Sequence, residues 1–369
     1  MFMKKICWIS DASFIDTDLP VISKLQAVYS IKYIFITHFG ITVNNEERVR
    51  SILGRQSNVD LEFVYLKQRG RSWKNISQYY QIVRSAKAYS PDIYYISFQG
   101  FPYAWPLYKM MLPRKRCVVP CHNVSTPKGA NNEKIAPLIT DLWVRMFDNF
   151  HILSESQRKL FSKKYPSKNA FTAPFLPMYY GEPTIKIEGT NLCKFLFFGN
   201  IVRYKRVDLL IQATNILAER GVKNFSVTIA GGCREWEGYS SMIRYPQYFN
   251  LQIRRIPDEE IANMFANTHY FVMPYQDIAQ SGVLFIALTY NKPTILSDIP
   301  QFDEFVKDGQ TSLSFKSEEA ESLANTMQYA IEHHDEIYSS LCINQKAFFE
   351  TNFSEEAIIK KYIDFFEAL

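Results

Sequence analysis

The sequence predicts an α/β protein of two Rossmann-like, doubly wound domains facing a cleft. Three observations predict it. Short apolar runs alternate with helix-like stretches along the whole chain, the pattern of a parallel sheet covered on both faces. The alternation begins afresh after a Pro- and Gly-bearing stretch, Phe175-Leu176-Pro177 to Gly181-Glu182-Pro183, which reads as a linker. At 369 residues, the chain is also too long for one ordinary core.

In the first half, the apolar runs place strands at 5–10, 31–37, 61–66, 93–98, 117–120 and 150–154. Helical segments fall between them near 19–29, 44–57, 72–89, 101–112, 132–147 and 155–164. The second half repeats the scheme, with strands near 194–198, 225–230, 251–255, 269–273, 293–296 and 312–315. Domain one is expected to span 1–178 and domain two 179–353. The last segment, 354–369, opens with Ser354 and the early acids Glu355 and Glu356, which favour a helix start. In open sheets of this kind ligands sit beyond the carboxyl ends of the strands.

Composition narrows the class. With 47% hydrophobic and 21% charged residues the chain reads as a folded globular protein, and no apolar run reaches bilayer length. The opening Lys4-Lys5-Ile6-Cys7-Trp8-Ile9 meets Asp11 too soon for a signal peptide and reads as the first strand. Six scattered cysteines lack framework spacing, which fits a reducing compartment. Cys117, Cys121 and His122 have no second Cys/His pair nearby to complete a zinc site, so no metal is expected there. Residues 1–180 carry 25 Lys and Arg against 12 Asp and Glu, whereas 181–369 carry 17 against 25. A basic first domain admits nucleic acid, an anionic membrane surface or an anionic acceptor. No aromatic-basic recognition module supports nucleic acid. The tract 98–109, rich in Phe, Tyr and Trp and followed by Arg114-Lys115-Arg116, suits either a lipid-facing surface or a core edge with a charged flank.

The segment 193–213 carries the most chemistry. The run Phe195-Leu196-Phe197-Phe198 ends in Gly199-Asn200. A basic loop with Arg203, Lys205 and Arg206 follows, then a helix marked by Val207, Leu210 and Ile211. Glycine permits a sharp turn, a helix start offers unpaired N–H groups, and the cations add charge, which together suit a phosphorylated ligand. Arginine forks grip phosphate oxygens in pairs and lysine acts as a point charge. A solvated basic helix start remains the plainer alternative. Gly231-Gly232 after the strand at 225–230 permits a close approach, or simply a turn.

Downstream, Pro257-Asp258-Glu259-Glu260-Ile261, Pro274-Tyr275, Gln280-Ser281-Gly282-Val283-Leu284, Lys292-Pro293-Thr294-Ile295-Leu296-Ser297-Asp298 and Phe305-Val306-Lys307-Asp308-Gly309 follow in fixed order. Together with the basic loop, this series resembles the carboxy-terminal half of a family 4, group 1 glycosyltransferase of the GT-B fold, over residues 193–315. The resemblance implies a nucleotide diphosphate sugar bound mainly by domain two, with Lys205 the family lysine of its loop. It implies that Arg203 or Arg206 supplies charge the family often places directly after the glycine, where this chain has Asn200. It further implies that N–H groups around Ser281, Gly282 and Val283 meet the diphosphate, with Gln280 and Asp277 near the donor sugar and Ile256 against the base. Two glutamates that much of the family carries around this loop are replaced by Ala279 and Ala287 when Gly282 is set on the family's glycine. His122 matches a histidine that related enzymes place toward the donor sugar, and its pKa range permits proton transfer. Asp11 and Asp18, after the first strand, are the acceptor candidates. The terminal helix is expected to return to domain one.

By this resemblance the chain is a metal-independent, retaining transferase needing no cofactor besides its co-substrate. It would pass a sugar from a nucleotide diphosphate sugar to a glycan or lipid-linked acceptor in bacterial surface polysaccharide synthesis. The place implied is the cytoplasm, with the inner face of the plasma membrane as a surface to attach to. Rival readings are a sugar-nucleotide epimerase of the same fold and a non-catalytic sugar-nucleotide-binding subunit.

Overall fold

The computed structural model describes residues 3–40, 45–56, 58–125, 135–185 and 192–369. It divides into two compact units, one of Met1–Val124, Pro137–Leu176 and Glu355–Leu369, the other of Ser125–Ala136 and Pro177–Ser354.

The first unit alternates strand and helix: β1 (Lys5–Asp11), α1 (Ile15–Leu25), β2 (Ser30–Thr37), α2 (Asn45–Leu53), β3 (Val59–Tyr65), α3 (Ile76–Ala88), β4 (Ile93–Ile96), α4 (Ala104–Met111), β5 (Cys117–Cys121), α5 (Ala136–Met146), β6 (Asn149–Ile152), α6 (Glu155–Lys164) and β7 (Asn169–Thr172). Its seven strands are all parallel in the order β3-β2-β1-β4-β5-β6-β7. Order reverses between β1 and β4, and such a switch point opens a crevice at the strand ends. Alternate β1 side chains serve opposite faces. Cys7 and Ile9 join a core with Tyr79, Ile82 and Val83 of α3, Trp105 and Tyr108 of α4, Trp143 of α5 and Phe161 of α6. Trp8 stacks on Tyr95 at 3.7 Å on the other face.

The second unit contains β8 (Cys193–Phe198), α7 (Val207–Glu219), β9 (Phe225–Ala230), α8 (Trp236–Ser240), β10 (Phe249–Gln252), α9 (Asp258–Ala266), β11 (Tyr270–Met273), α10 (Gly282–Thr289), β12 (Thr294–Ser297), β13 (Ser312–Phe315), α11 (Ala320–Glu332) and α12 (His334–Phe353). Its six parallel strands run β10-β9-β8-β11-β12-β13, so the order reverses between β8 and β11.

The final helix, α13 (Glu355–Glu367), belongs to the first unit. Ile358, Tyr362 and Phe366, four residues apart, form its buried stripe. Each such apolar side chain contributes about 1.5–3 kcal/mol on burial. Tyr362 and Phe366 lie 6.5 and 6.3 Å from the ring of Tyr95, and Lys4 Nζ donates to the carbonyl of Phe366 at 2.7 Å.

One expectation is corrected. The sequence pattern missed β7, a four-residue edge strand whose polar Asn169 and Thr172 weaken its apolar signal. Of the two alternatives for the aromatic tract 98–109, the core edge is the one observed: Phe98, Trp105 and Tyr108 are buried, and Trp105 packs on Trp143 at 5.0 Å. Among the described residues, no helix is long and apolar enough to cross a membrane.

Candidate functional site

The two loops at the second unit's switch point converge. Gly199 follows β8 with φ +111°, a left-handed value that only glycine adopts readily. An added Cβ there would lie 3.2 Å from Lys205 Nζ and 3.3 Å from Val283 Cγ1. Three elements therefore meet at one point: the end of β8, the basic loop and the first turn of α10.

The side chain of Lys205 is carried on a single 3-10 turn, Arg203–Lys205, and is 8% exposed. Among the described residues no carboxylate pairs with it; its ammonium lies 5.2 Å from the ring centre of Tyr275. Burial lowers its pKa to about 8. A buried, unpaired cation is costly, and an arriving anion removes that cost. Tyr275, the second residue after β11, is fully buried between Phe197, Tyr204 and Phe302. Gln276 N donates to the carbonyl of Tyr204 at 2.9 Å and stitches the two loops together. Sequence reasoning missed the role of Tyr275; its only signal was an aromatic directly after Pro274 at a strand end.

Ser281 is the N-cap of α10, extended at φ −140°, and makes no side-chain cap hydrogen bond. The first-turn N–H groups have no helical acceptor, so with Lys205 they suit an anion. Ser281, Gly282 and Val283 are half-buried. Asp277 is tied locally, its Oδ1 accepting from Ile278 N at 2.8 Å and Gln301 Nε2 at 3.1 Å. Gln280 is half-buried one residue before the cap. Ala279 and Ala287 are both buried packing positions.

Other expected donor residues divide. Asn200 is exposed beside Gly199, and a Cβ on Gly232 would lie 3.6 Å from its Oδ1. Arg203 is largely exposed, 3.9 Å from Glu235, and lines an open pocket with Trp236 and Tyr239. Arg206 is committed elsewhere. Its guanidinium binds Asp208 through Nε at 3.1 Å and Nη2 at 2.8 Å, and Glu318 through Nη1 at 3.2 Å, so its expected phosphate contact is corrected. The cause is local: Arg206 is the left-handed N-cap of α7, φ +50°, which turns it back onto the helix's first acidic residue. Ile256, the expected base contact, is 7% exposed and lies two residues before α9.

In the first unit, His122 follows β5, its ring stacked on Phe14 at 4.9 Å. Its Nε2 is shielded and makes no hydrogen bond among the described residues, and burial lowers its pKa to about 4. The imidazole is therefore neutral near pH 7. Asp11 ends β1 and pairs with His38 Nε2 at 2.9 Å. Asp18 is corrected from acceptor candidate to core residue: it is buried and accepts from Ser10 Oγ at 2.6 Å, and burial raises its pKa to about 6. All six cysteines are free thiols. Among the described residues, no cluster of three His, Cys, Asp or Glu side chains is placed to hold a metal.

With this geometry in view, the family described as Glycosyl transferases group 1 matches residues 193–333. Residues 193–333 of the second unit are a group 1 glycosyltransferase domain. The match covers Gly199, Lys205 and Val283, the residues that converge at the switch point. Around this glycosyltransferase domain the whole chain has the GT-B fold. It is similar to the crystal structure of a glycosyltransferase from Rickettsia africae ESF-5, with TM-score 0.74 and 12% identity, covering 100% of this chain and 99% of that one. Anabaena Alr3699/HepE in complex with UDP and glucose is similar at TM-score 0.76 and 12% identity, covering 99% of this chain and all of the other. Sucrose-phosphate synthase from Thermosynechococcus elongatus matches at TM-score 0.70 and 14% identity, with 99% and 100% covered. No curated protein matches the chain in sequence.

Proposed function

We propose that the chain transfers a sugar from a nucleotide diphosphate sugar to a glycan or lipid-linked acceptor, using the second unit to hold the donor. One observation carries this reading: the buried ammonium of Lys205, unpaired by any described carboxylate, beside Gly199 and the start of α10. Lys205 and the N–H groups of α10 would stabilise charge growing on the departing diphosphate, a task preorganised donors perform without a metal. The domain's family supports the reading. So do structures of the same fold whose complexes contain UDP and UDP-glucose.

In the retaining course proposed here, the bond from the anomeric carbon to the diphosphate oxygen breaks, and the acceptor oxygen bonds to that carbon. The hydroxyl proton passes to the departing phosphate. Synthesis of bacterial surface polysaccharide is the proposed setting. Attachment to an anionic membrane surface is proposed for the first unit, where Met110, Leu138, Leu142 and Leu160 are exposed near its cationic helices. Sedimentation with phosphatidylglycerol vesicles tests that attachment.

Thermal unfolding with UDP, GDP and ADP tests the donor site, because a ligand that binds only the folded chain raises its stability. A rise with at least one nucleotide, together with transfer or slow hydrolysis of the matching sugar nucleotide, is the expected result. No rise with any of them would remove the reading. Ala279 and Ala287 favour one second reading, a subunit that binds sugar nucleotides without turnover, and binding without hydrolysis or transfer would select it.

A further inference from the structure

The carboxyl ends of the first unit's strands hold a pair that the donor chemistry does not use. Asp11 closes β1, and His38 follows β2 in the neighbouring position of the sheet. Asp11 is fixed from both sides: Oδ1 accepts from Ser13 N at 2.7 Å, and Oδ2 lies 2.9 Å from His38 Nε2. A carboxylate only accepts, so in the neutral imidazole Nε2 carries the proton and Nδ1 a lone pair. The hydrogen bond to Asp11 raises the His38 pKa above its ordinary value, and this neutral form is the one present above that raised pKa. Among the described residues, Nδ1 makes no hydrogen bond, and the His38 side chain is 27% exposed.

What faces that nitrogen is a glycine. A Cβ on Gly70 would lie 3.4 Å from His38 Nδ1 and 3.5 Å from Cε1, so only the lack of a side chain leaves this edge open. The glycine's loop is anchored. Tyr79 donates to the Gly70 carbonyl at 2.5 Å, and Asn75 Nδ2 donates to the carbonyls of Gln68 and Arg69 at 3.1 and 3.0 Å. The ring is also flanked by Phe98, 6.0 Å between centres. A fixed acceptor nitrogen beside an aromatic edge suits a sugar hydroxyl, which presents a donor hydrogen on an otherwise mixed polar and apolar ring.

We propose that Asp11 and His38 form a hydroxyl-binding site for the sugar acceptor, with Asp11 locking the imidazole tautomer and His38 Nδ1 accepting the hydroxyl's hydrogen. The identity of the ligand as the acceptor rests on the transferase reading above. The hydroxyl chemistry rests on the first unit alone. Asp11 is then a positioning residue, since it acts through His38.

The test uses the full chain labelled with nitrogen-15 at its six histidines, with His38 assigned through His38→Gln. The expected spectrum shows neutral His38 protonated on Nε2 and bare on Nδ1. Asp11→Asn keeps an oxygen for Ser13 N but offers an NH2 to Nε2. It should move the proton to Nδ1, and the glycoside titration then separates a binding role from a purely structural contact. Methyl α-glucoside, methyl α-galactoside, methyl α-mannoside and methyl N-acetyl-α-glucosaminide are then titrated in turn. At least one should shift the His38 Nδ1 resonance saturably, with about tenfold weaker binding in Asp11→Asn. No shift with any of the four glycosides, or an unchanged tautomer in Asp11→Asn, overturns the proposal. Nucleotide-induced thermal shifts are recorded on the same samples. Loss of those with His38 still responding would sink the donor reading and leave the hydroxyl site standing. A silent His38 in a chain stabilised by UDP would do the reverse.

Discussion

Lys205 Nζ lies 3.2 Å from the point a Cβ on Gly199 would occupy, and Val283 Cγ1 lies 3.3 Å from the same point. The space next to Gly199 is thus shared by a buried cation and the first turn of α10. Adding a methyl group there forces one of them to move. Lys205 can give at its flexible end, but Val283 is branched and held on a helix. The backbone adds strain of its own at φ +111°. Gly199→Ala should lower unfolding stability by about 1–3 kcal/mol and weaken UDP-induced stabilisation, both read from thermal unfolding with and without nucleotide. Full retention of the nucleotide response would show that the point is not part of the donor site.

Lys205→Met separates structure from function. Burial holds the Lys205 pKa near 8 against an ordinary 10.5, so at pH 7 the folded state bears a charged group that it disfavours. The cost is on the order of 3 kcal/mol. Between about pH 8 and 10.5 the unfolded chain holds more protons than the folded one, so this group's contribution to stability rises with pH in that window. Met fills similar volume without the charge. The variant should melt no lower than the parent near pH 7 and lose the alkaline rise, while its response to UDP disappears. A lower melting point with the nucleotide response intact would mean that Lys205 serves packing alone.

Gly231→Ala should be worse than Gly199→Ala. The added Cβ would lie 2.0 Å from the Gly199 carbonyl oxygen, a backbone atom, and φ at Gly231 is +147°. Gly199 N donates to the Ala230 carbonyl and Gly231 N to that of Gln252, so the ends of β8, β9 and β10 must all shift together. The expected loss is at least about 3 kcal/mol, or failure to accumulate as folded protein, judged by denaturant midpoint and by the yield of folded chain.

These glycines show what the sequence could and could not disclose. Apolar runs and punctuation located β8 and β9 because buried parallel strands need near-continuous hydrophobic residues. The basic loop, a local signal, singled out Lys205, whereas Ser281 was pointed to by the family resemblance rather than by any local pattern. Gly231, in contrast, read equally well as an ordinary turn. Its necessity comes from the carbonyl of Gly199, just past β8, a contact no local pattern encodes. Arg206 and Asp18 failed for the same reason. Both have the residue type that a phosphate or a hydroxyl wants, but Arg206 is captured by Asp208 and Glu318, and Asp18 by Ser10 inside the first unit. His38 went unnoticed because its partner Asp11 lies 27 residues away on the adjacent strand.

Arg206→Ala should therefore affect stability and leave nucleotide affinity unchanged. It removes a two-pronged contact to Asp208 and a longer one to Glu318, and places alanine in a left-handed conformation. Solvent screening keeps the ion-pair part small, so the combined loss is about 1–2 kcal/mol. Arg206→Gly should recover the backbone part. A marked drop in UDP affinity in both variants would return Arg206 to the donor site.

Asp18 contributes its own pH dependence to the first unit. Burial raises its pKa from 3.8 to about 6, outweighing the hydrogen bond from Ser10. Between those two pH values the folded chain holds the proton and the unfolded chain has lost it, so stability falls as pH rises from about 4 to 6 and is flat above. The ionised form costs the fold about 3 kcal/mol at pH 7. Asp18→Asn keeps an oxygen for Ser10 Oγ and abolishes the titration. The difference in denaturant midpoint between parent and variant isolates this group from every other carboxylate. It should favour the variant more at pH 7 than at pH 4.5, with the change spread between about pH 4 and 6 and complete above that. A difference that stays constant across this range would mean that Asp18 ionises normally, and hence that water reaches it beside Ser10.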